Sequence, residues 1–264
     1  MKKRLRVGVF DSGIGGISVL KECVRIAPDA KYYYLGDNGR APYGSRSEEE
    51  IARFTREALS VFRRKKVDVA VIACNTATAV AADEMRKEFT FPVIGVEPAV
   101  KPAAKNAKNI LVLATERTAK SAKLKMLLGR FPDCDFRVFA CMELAGAIEK
   151  YFSSQEPFLL SAHLPRGRYD GVVLGCTHYS FFAKEISKFY SAPVYDGNTG
   201  VAKRLAQILK LIMLGRSAHF LSTEKTNNCF SFSAKTSVKF IGKWRNINKS
   251  VYLRTFVLEK DEKK

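Results

Sequence analysis

Short apolar runs alternate with amphipathic stretches along most of the chain. Buried strands are predicted at 6–10, 31–36, 67–73 and 91–96, with helices between them at 16–26, 48–65 and 78–88. The pattern then restarts, predicting strands at 109–114, 136–141, 169–176 and 192–197 and a helix at 203–214. This alternation is typical of βαβ units around a mainly parallel sheet. Beyond residue 215 the pattern weakens, and 237–253 is compatible with strands or with little order.

The restart is an internal repeat. In residues 68–74 an aspartate, an apolar run and a cysteine follow one another, and residues 170–176 repeat that order at the same spacing. Cys74 and Cys176 lie 102 residues apart, and Asp11 and Thr115, which end equivalent runs, lie 104 apart. The sequence therefore predicts two tandem, pseudo-symmetric α/β domains, each with a cysteine at the carboxyl edge of its sheet, where such folds bind ligands.

Paired cysteines at such positions suggest acid–base chemistry. A thiol between a strand and a helix faces backbone N–H groups and the positive end of the helix dipole, so we expect a lowered pKa. Two thiols facing one cleft can remove a proton from one side of a carbon and deliver one to the other. The alternative is that both are small buried hydrophobic residues. Hydrogen-bonding residues follow each cysteine and favour the chemical interpretation: Asn75-Thr76 and Thr177-His178.

Other chemistries match the motifs less well. The glycine-rich stretch that follows Asp11, with Ser12, lacks the pattern of a P-loop and only half matches a dinucleotide fingerprint. A nucleophile elbow around Ser12 is also missing from the sequence. His, Asp and Glu show no metal-ligand spacing, so we predict no metal site.

Composition narrows the class of protein. The chain has 264 residues, of which 47% are hydrophobic, as expected of a folded core. We predict no membrane span, because no apolar run approaches the roughly 20 residues that one needs. We predict no signal peptide, because Asp11 interrupts the apolar run behind the basic N-terminus. Six cysteines without a CxxC pair argue against a zinc cluster or a disulfide framework and favour the reducing cytoplasm.

The formal net charge of +19 has two interpretations. The charge could favour binding to nucleic acid through counterion release, or it could belong to a solvated surface that attracts acidic small molecules. The basic residues are dispersed and form no recognition motif, so nucleic-acid binding is the lesser alternative.

Four motifs in one order carry a resemblance to a known family. The stretches FDSGIGG, GDNGRAPYG, ACNTATA and LGCTHY, within residues 7–211, closely resemble the glutamate racemases of the aspartate/glutamate racemase group. The resemblance implies interconversion of L- and D-glutamate without pyridoxal phosphate or any other cofactor, to supply D-glutamate for peptidoglycan. It also implies two α/β domains with the active site between them. We predict domains of 1–97 with 209–264, and 98–208, and a homodimer.

The resemblance also assigns roles to residues. Cys74 would take the α-proton of D-glutamate and Cys176 that of L-glutamate, with Asp11 assisting the first thiol and His178 and Glu149 the second. The substrate contacts implied are Asp11, Ser12, Pro42, Tyr43, Gly44, Asn75, Thr76, Thr118, Thr177 and His178.

Some positions depart from the family pattern. Asn38 stands where threonine is common, Ser180 where proline often follows CTHY, and missing prolines leave Glu143 as an alternative to Glu149. An aspartate racemase is the nearest alternative function. A DNA- or gyrase-binding role, which the family also suggests, is the alternative from another class.

Overall fold

The computed structural model describes residues 4–221 and 238–240. Strands and helices alternate along the first half: β1 (Arg6–Asp11), α1 (Gly16–Ile26), β2 (Lys31–Gly36), α2 (Glu48–Arg64), β3 (Val69–Ile72), α3 (Asn75–Glu88), β4 (Val93–Gly95) and α4 (Val100–Asn106). The second half continues with β5 (Asn109–Ala114), α5 (Glu116–Ala119), α6 (Ala122–Leu128), β6 (Asp135–Ala140), α7 (Leu144–Ser154), β7 (Gly171–Gly175), α8 (Ala183–Tyr190), β8 (Val194–Tyr195), α9 (Asn198–Leu221) and β9 (Val238–Phe240). Three 3₁₀ turns lie at Tyr43–Ser45, Leu160–His163 and Thr177–Phe182.

Two parallel sheets are built on one plan. The first has the order β4-β3-β1-β2-β9 and the second the order β8-β7-β5-β6, so β1 and β5 occupy equivalent central positions. All described strand pairs are parallel. The predicted tandem α/β fold with mainly parallel sheets is confirmed.

The repeat extends to single hydrogen bonds. The Asp68 carboxylate accepts from the Arg6 N–H at 2.7 Å, and the Asp170 carboxylate accepts from the Asn109 N–H at 2.9 Å. Each aspartate thus ties the start of its sheet's central strand to the strand that leads to the cysteine. The two halves therefore place Cys74 and Cys176 in the same way.

Apolar side chains cover both faces of each sheet. Val7, Val9 and Leu20 lie in the core on one face of the first sheet, and Leu205 and Leu209 of α9 pack into the same core. The α9 helix thus joins the core of the first half, and the predicted domain limits stay a prediction. Within residues 4–221 and 238–240, no helix has the length and apolarity that a membrane crossing requires.

Capping residues set where the helices begin. Ser47 and Glu50 form a reciprocal capping box at the start of α2. The Cys74 thiol caps α3 by accepting from the Ala77 N–H at 3.4 Å. That cap explains why α3 begins at Asn75, three residues before the predicted start.

Candidate active site

The carboxyl ends of the two sheets face each other across a cleft. Asp11 ends β1, Cys74 follows β3, and Cys176 follows β7, all at the same edge of their sheets. Contact across the cleft is direct, because the Thr177 hydroxyl donates to the Asp11 carboxylate at 3.0 Å. The structure therefore brings together residues 166 positions apart in the chain.

Asp11 is fully buried and well hydrogen-bonded. Besides the Thr177 hydroxyl, its carboxylate accepts from the Gly13 N–H at 2.8 Å and lies 3.5 Å from the Ser12 hydroxyl. Burial raises the pKa of Asp11, and the positive charge of His178 and these hydrogen bonds oppose that rise in part. A cationic group beside the carboxylate would therefore favour its ionised form further.

Glycine lets this loop approach the second half closely. A methyl group on Gly15 would lie 2.4 Å from the Thr177 hydroxyl and 2.8 Å from the His178 backbone nitrogen. No side chain fits there without separating the two halves. The glycines between Ser12 and the first helix therefore permit contact between the domains.

Cys74 is a buried thiol beside Ser12, 5% exposed. Its Sγ lies 3.5 Å from the Ser12 hydroxyl and accepts from the Ala77 N–H. Burial, with the nearby Asp11 carboxylate, raises the pKa of Cys74 to about 12. The expected lowering of the pKa is therefore wrong for this thiol, because desolvation and the Asp11 charge exceed the effect of the helix terminus.

A chain of polar groups supports Cys176 from the other side. The His178 Nδ1 lies 3.6 Å from the Cys176 Sγ, and the His178 Nε2 donates to the Glu149 carboxylate at 2.6 Å. Glu149 also accepts from the Ile14 N–H at 2.8 Å. Glu143, the alternative, is exposed at the start of α7. The structure therefore places Glu149, and not Glu143, at the histidine.

The surroundings of His178 shift its pKa. Burial disfavours the charge, but hydrogen bonds with Cys176 and Glu149 and the negative charge of both partners outweigh burial. The pKa of His178 is therefore raised well above its ordinary value.

Hydroxyl groups line the cleft near the first thiol. The Thr76 hydroxyl lies 2.9 Å from that of Thr115 and 3.4 Å from that of Thr118, and Thr115 and Thr118 are 3.0 Å apart. Thr115 was missed as a site residue, although its repeat position, equivalent to Asp11, could have indicated it. Within the described residues, the buried Asn75 Nδ2 is a donor without a protein partner.

The loop around Pro42, Tyr43 and Gly44 packs against these threonines. A methyl group on Gly44 would lie 3.1 Å from the Thr115 Cβ. Pro42 is half-buried, while Tyr43 is buried and its hydroxyl donates to the Asp37 carboxylate at 2.5 Å. The Tyr43 hydroxyl is therefore engaged within the first half of the chain.

Two cations bridge the halves beside the threonine cluster. Arg117 donates to the Arg46 carbonyl at 2.8 Å and lies 3.5 Å from the Glu48 carboxylate. Lys123 lies 2.9 Å from the Asp83 carboxylate and donates to the Thr78 carbonyl at 3.1 Å. We call these four contacts the cleft bridges.

The raised pKa of His178 predicts a loss of folding stability above neutral pH. The folded state binds more protons than the unfolded state between the unfolded pKa of about 6.5 and the higher folded pKa. The stabilisation is therefore present below about 6.5 and declines as pH rises. Urea unfolding between about pH 6 and 8.5, below the range in which unfolded thiols ionise fully, should show a steeper decline for the wild type than for His178→Asn. Equal slopes would contradict the assignment.

The chain is similar to proteins of a known family. A profile of the family described as Asp/Glu/Hydantoin racemase matches residues 7–205. A glutamate racemase of Leptospira interrogans is 36% identical over 218 residues, covering 80% of this chain and 85% of its own. One from Clostridium kluyveri is 39% identical over 214 residues, covering 77% and 83%.

Solved structures show the same fold. Escherichia coli glutamate racemase, crystallised with L-glutamate and the activator UDP-MurNAc-Ala, superposes with a TM-score of 0.72 at 33% identity, covering 79% of this chain and 83% of that one. Glutamate racemase from Aquifex pyrophilus superposes with a TM-score of 0.65 at 31% identity, covering 97% and 95%.

Proposed function

This chain belongs to the Asp/Glu/hydantoin racemase family, and from that premise we propose that it interconverts L- and D-glutamate with Cys74 and Cys176 as its two acid–base groups. It is an amino-acid racemase. The observation that carries the proposal is the placement of two thiols at equivalent strand ends of two facing, repeated halves. Glutamate as substrate is supported by the names of relatives that match most of the chain.

In the proposed reaction one thiol is a thiolate and the other is protonated. With L-glutamate, the Cys176 thiolate removes the α-proton, the C–H electron pair stays on the substrate as a carbanion, and Cys74 delivers its proton to the opposite face. With D-glutamate the two roles exchange. Each turnover leaves the proton on the other sulfur, so the thiols must re-equilibrate with solvent before the next turnover.

We propose that substrate binding makes the Cys74 thiol easier to ionise. The substrate ammonium group would lie beside the Asp11 carboxylate, whose charge otherwise opposes ionisation of Cys74. Neutralising that charge removes one of the causes that raise the pKa of Cys74. Ser12, which contacts both the thiol and the carboxylate, links the two.

The Cys176 thiol is assisted by different residues from those that assist Cys74. The His178 Nδ1 lies 3.6 Å from the Cys176 Sγ, where it can exchange a proton with the thiol, and Glu149 holds the imidazole in place. Thr177 contributes by donating to Asp11, which fixes the carboxylate between the halves.

Carboxylate recognition is proposed for the uncharged donors of the cleft. The Asn75 amide has an unused N–H, and the hydroxyls of Thr76, Thr115 and Thr118 form one cluster with the loop at Gly44. Fixed donors in a cleft shielded from water stabilise a developing carbanion without a cofactor.

The substrate specificity is tested by comparing kcat/KM for glutamate with kcat/KM for aspartate. A preference for aspartate would identify the nearest alternative function, an aspartate racemase.

The reaction itself is tested in deuterated water. Purified protein with no added cofactor should invert each enantiomer of glutamate, and each product should carry one solvent deuterium at Cα. The products are measured by chiral separation and mass spectrometry. Inversion without deuterium at Cα, or no inversion of glutamate, would contradict the proposed function.

The cellular setting is proposed from the same premise. Production of D-glutamate for peptidoglycan and a cytoplasmic location suit a racemase whose described cysteines are free thiols. The homodimer stays a prediction.

A further inference from the structure

We propose that Tyr34, in the first half of the chain, is a positioning residue for the Cys176 side of the reaction. It acts through the peptide group between Gly13 and Ile14. The proposal rests on the proposed function, because it assigns Tyr34 to one of the two proton transfers.

Tyr34 lies on β2 directly beside the glycine-rich loop. Its side chain is completely buried, and its hydroxyl donates to the Gly13 carbonyl at 2.6 Å. In the sheet Tyr34 is the partner of Val9, two residues before Asp11. The hydroxyl is therefore held by the packing of the first core, which makes it a rigid donor to the loop.

One peptide group joins Tyr34 to Glu149. The carbonyl that accepts from Tyr34 belongs to the same planar peptide unit as the Ile14 N–H, which donates to the Glu149 carboxylate at 2.8 Å. The C=O and N–H of a trans peptide point in opposite directions, so fixing the carbonyl also fixes the N–H. A hydrogen bond to the carbonyl further polarises the unit and strengthens its N–H as a donor.

From Glu149 the contacts continue to the second thiol. The same carboxylate oxygen accepts from His178, and His178 lies against the Cys176 Sγ. Tyr34 thus helps to aim Glu149, which holds the imidazole beside the thiol. The contacts of Cys74 are different, namely with Ser12 and Ala77, so losing the Tyr34 hydroxyl should affect one proton transfer more than the other.

The test compares Tyr34→Phe with the matched control Tyr32→Phe. Tyr32 is equally buried on the same strand and packs in the same core, but its hydroxyl donates to the Cys23 and Ala27 carbonyls, away from the cleft. We expect Tyr34→Phe to lower kcat/KM about fivefold to tenfold, the effect of one well-placed hydrogen bond, and Tyr32→Phe to change it less than about twofold.

Isotope effects identify which transfer is affected. With α-deuterated L-glutamate, from which Cys176 removes the deuteron, the isotope effect on kcat/KM should rise in Tyr34→Phe, because that step becomes more rate-limiting. With α-deuterated D-glutamate it should fall. An isotope effect is a ratio of rates, so a smaller fraction of folded protein does not alter it.

The outcomes distinguish a failure of the proposed function from a failure of the role assigned to Tyr34. If the wild type fails to racemise glutamate, the proposed function is wrong. If the wild type is active and Tyr34→Phe behaves like Tyr32→Phe, or its isotope effects change equally for both enantiomers, the role of Tyr34 is overturned and the proposed function stands.

Discussion

Replacing either Cys74 or Cys176 by alanine should lower the rate of glutamate racemisation by about 10³-fold or more. A positioned general acid or base contributes about 10²–10⁴-fold, and inversion needs a base on one face of Cα and an acid on the other. Neither variant can perform both transfers. The rate is measured with each enantiomer as substrate, because the loss must appear in both directions.

Cys23 provides the matched control for that experiment. It is a buried free thiol in the core of the first half, away from the cleft, and its backbone carbonyl accepts from the Tyr32 hydroxyl, a contact that alanine retains. Cys23→Ala should therefore keep nearly full activity. Normal racemisation by Cys74→Ala, or an equal loss in Cys23→Ala, would refute the assignment of the two acid–base groups.

Substituting Gly13 by alanine should lower kcat/KM by about 10²-fold, the cost associated with a displacement of about 1 Å at a catalytic group. A methyl group at that position would lie 1.7 Å from the Glu149 carboxylate oxygen and 3.2 Å from the His178 Nε2. Glu149 must then move, and it loses its bonds to Ile14 and His178 together. The support of Cys176 is lost without any change in an ionisable group.

Gly200→Ala is the control for adding a methyl group. Its new Cβ would have no atom within 4 Å, and alanine suits a helix better than glycine, so activity should be unchanged. Steady-state kinetics of both variants are compared at a temperature where both are folded, as judged by circular dichroism. Wild-type kcat/KM in Gly13→Ala would show that the position of Glu149 does not matter.

The fold could be predicted from the sequence because the patterns that indicate it are local. Apolar runs ending in Asp11, Cys74 and Cys176 mark strands, and the repeated spacing from Asp68 and Asp170 indicates the duplication. In the structure both aspartates make the same hydrogen bond, which is why the repeat was visible in single residues.

The details of the site depend on contacts that no local pattern contains. The Ile14 N–H meets Glu149 across 135 positions, and Glu149 was indicated by the family resemblance alone, not by any local pattern. The pKa of Cys74 was expected to be low from its place before a helix, but burial beside Asp11 raises it, and burial is a property of the assembled cleft. The hydrogen bond from the Tyr43 hydroxyl to Asp37 is likewise a contact that no local pattern indicates.

The cleft bridges have a consequence for how the molecule responds to salt. Any separation of the two halves beside Thr118 must break the contacts of Arg117 and Lys123. Their side chains are about one-third exposed, so dissolved salt weakens their ion pairs. Higher ionic strength therefore lowers the free-energy cost of separating the halves at this place.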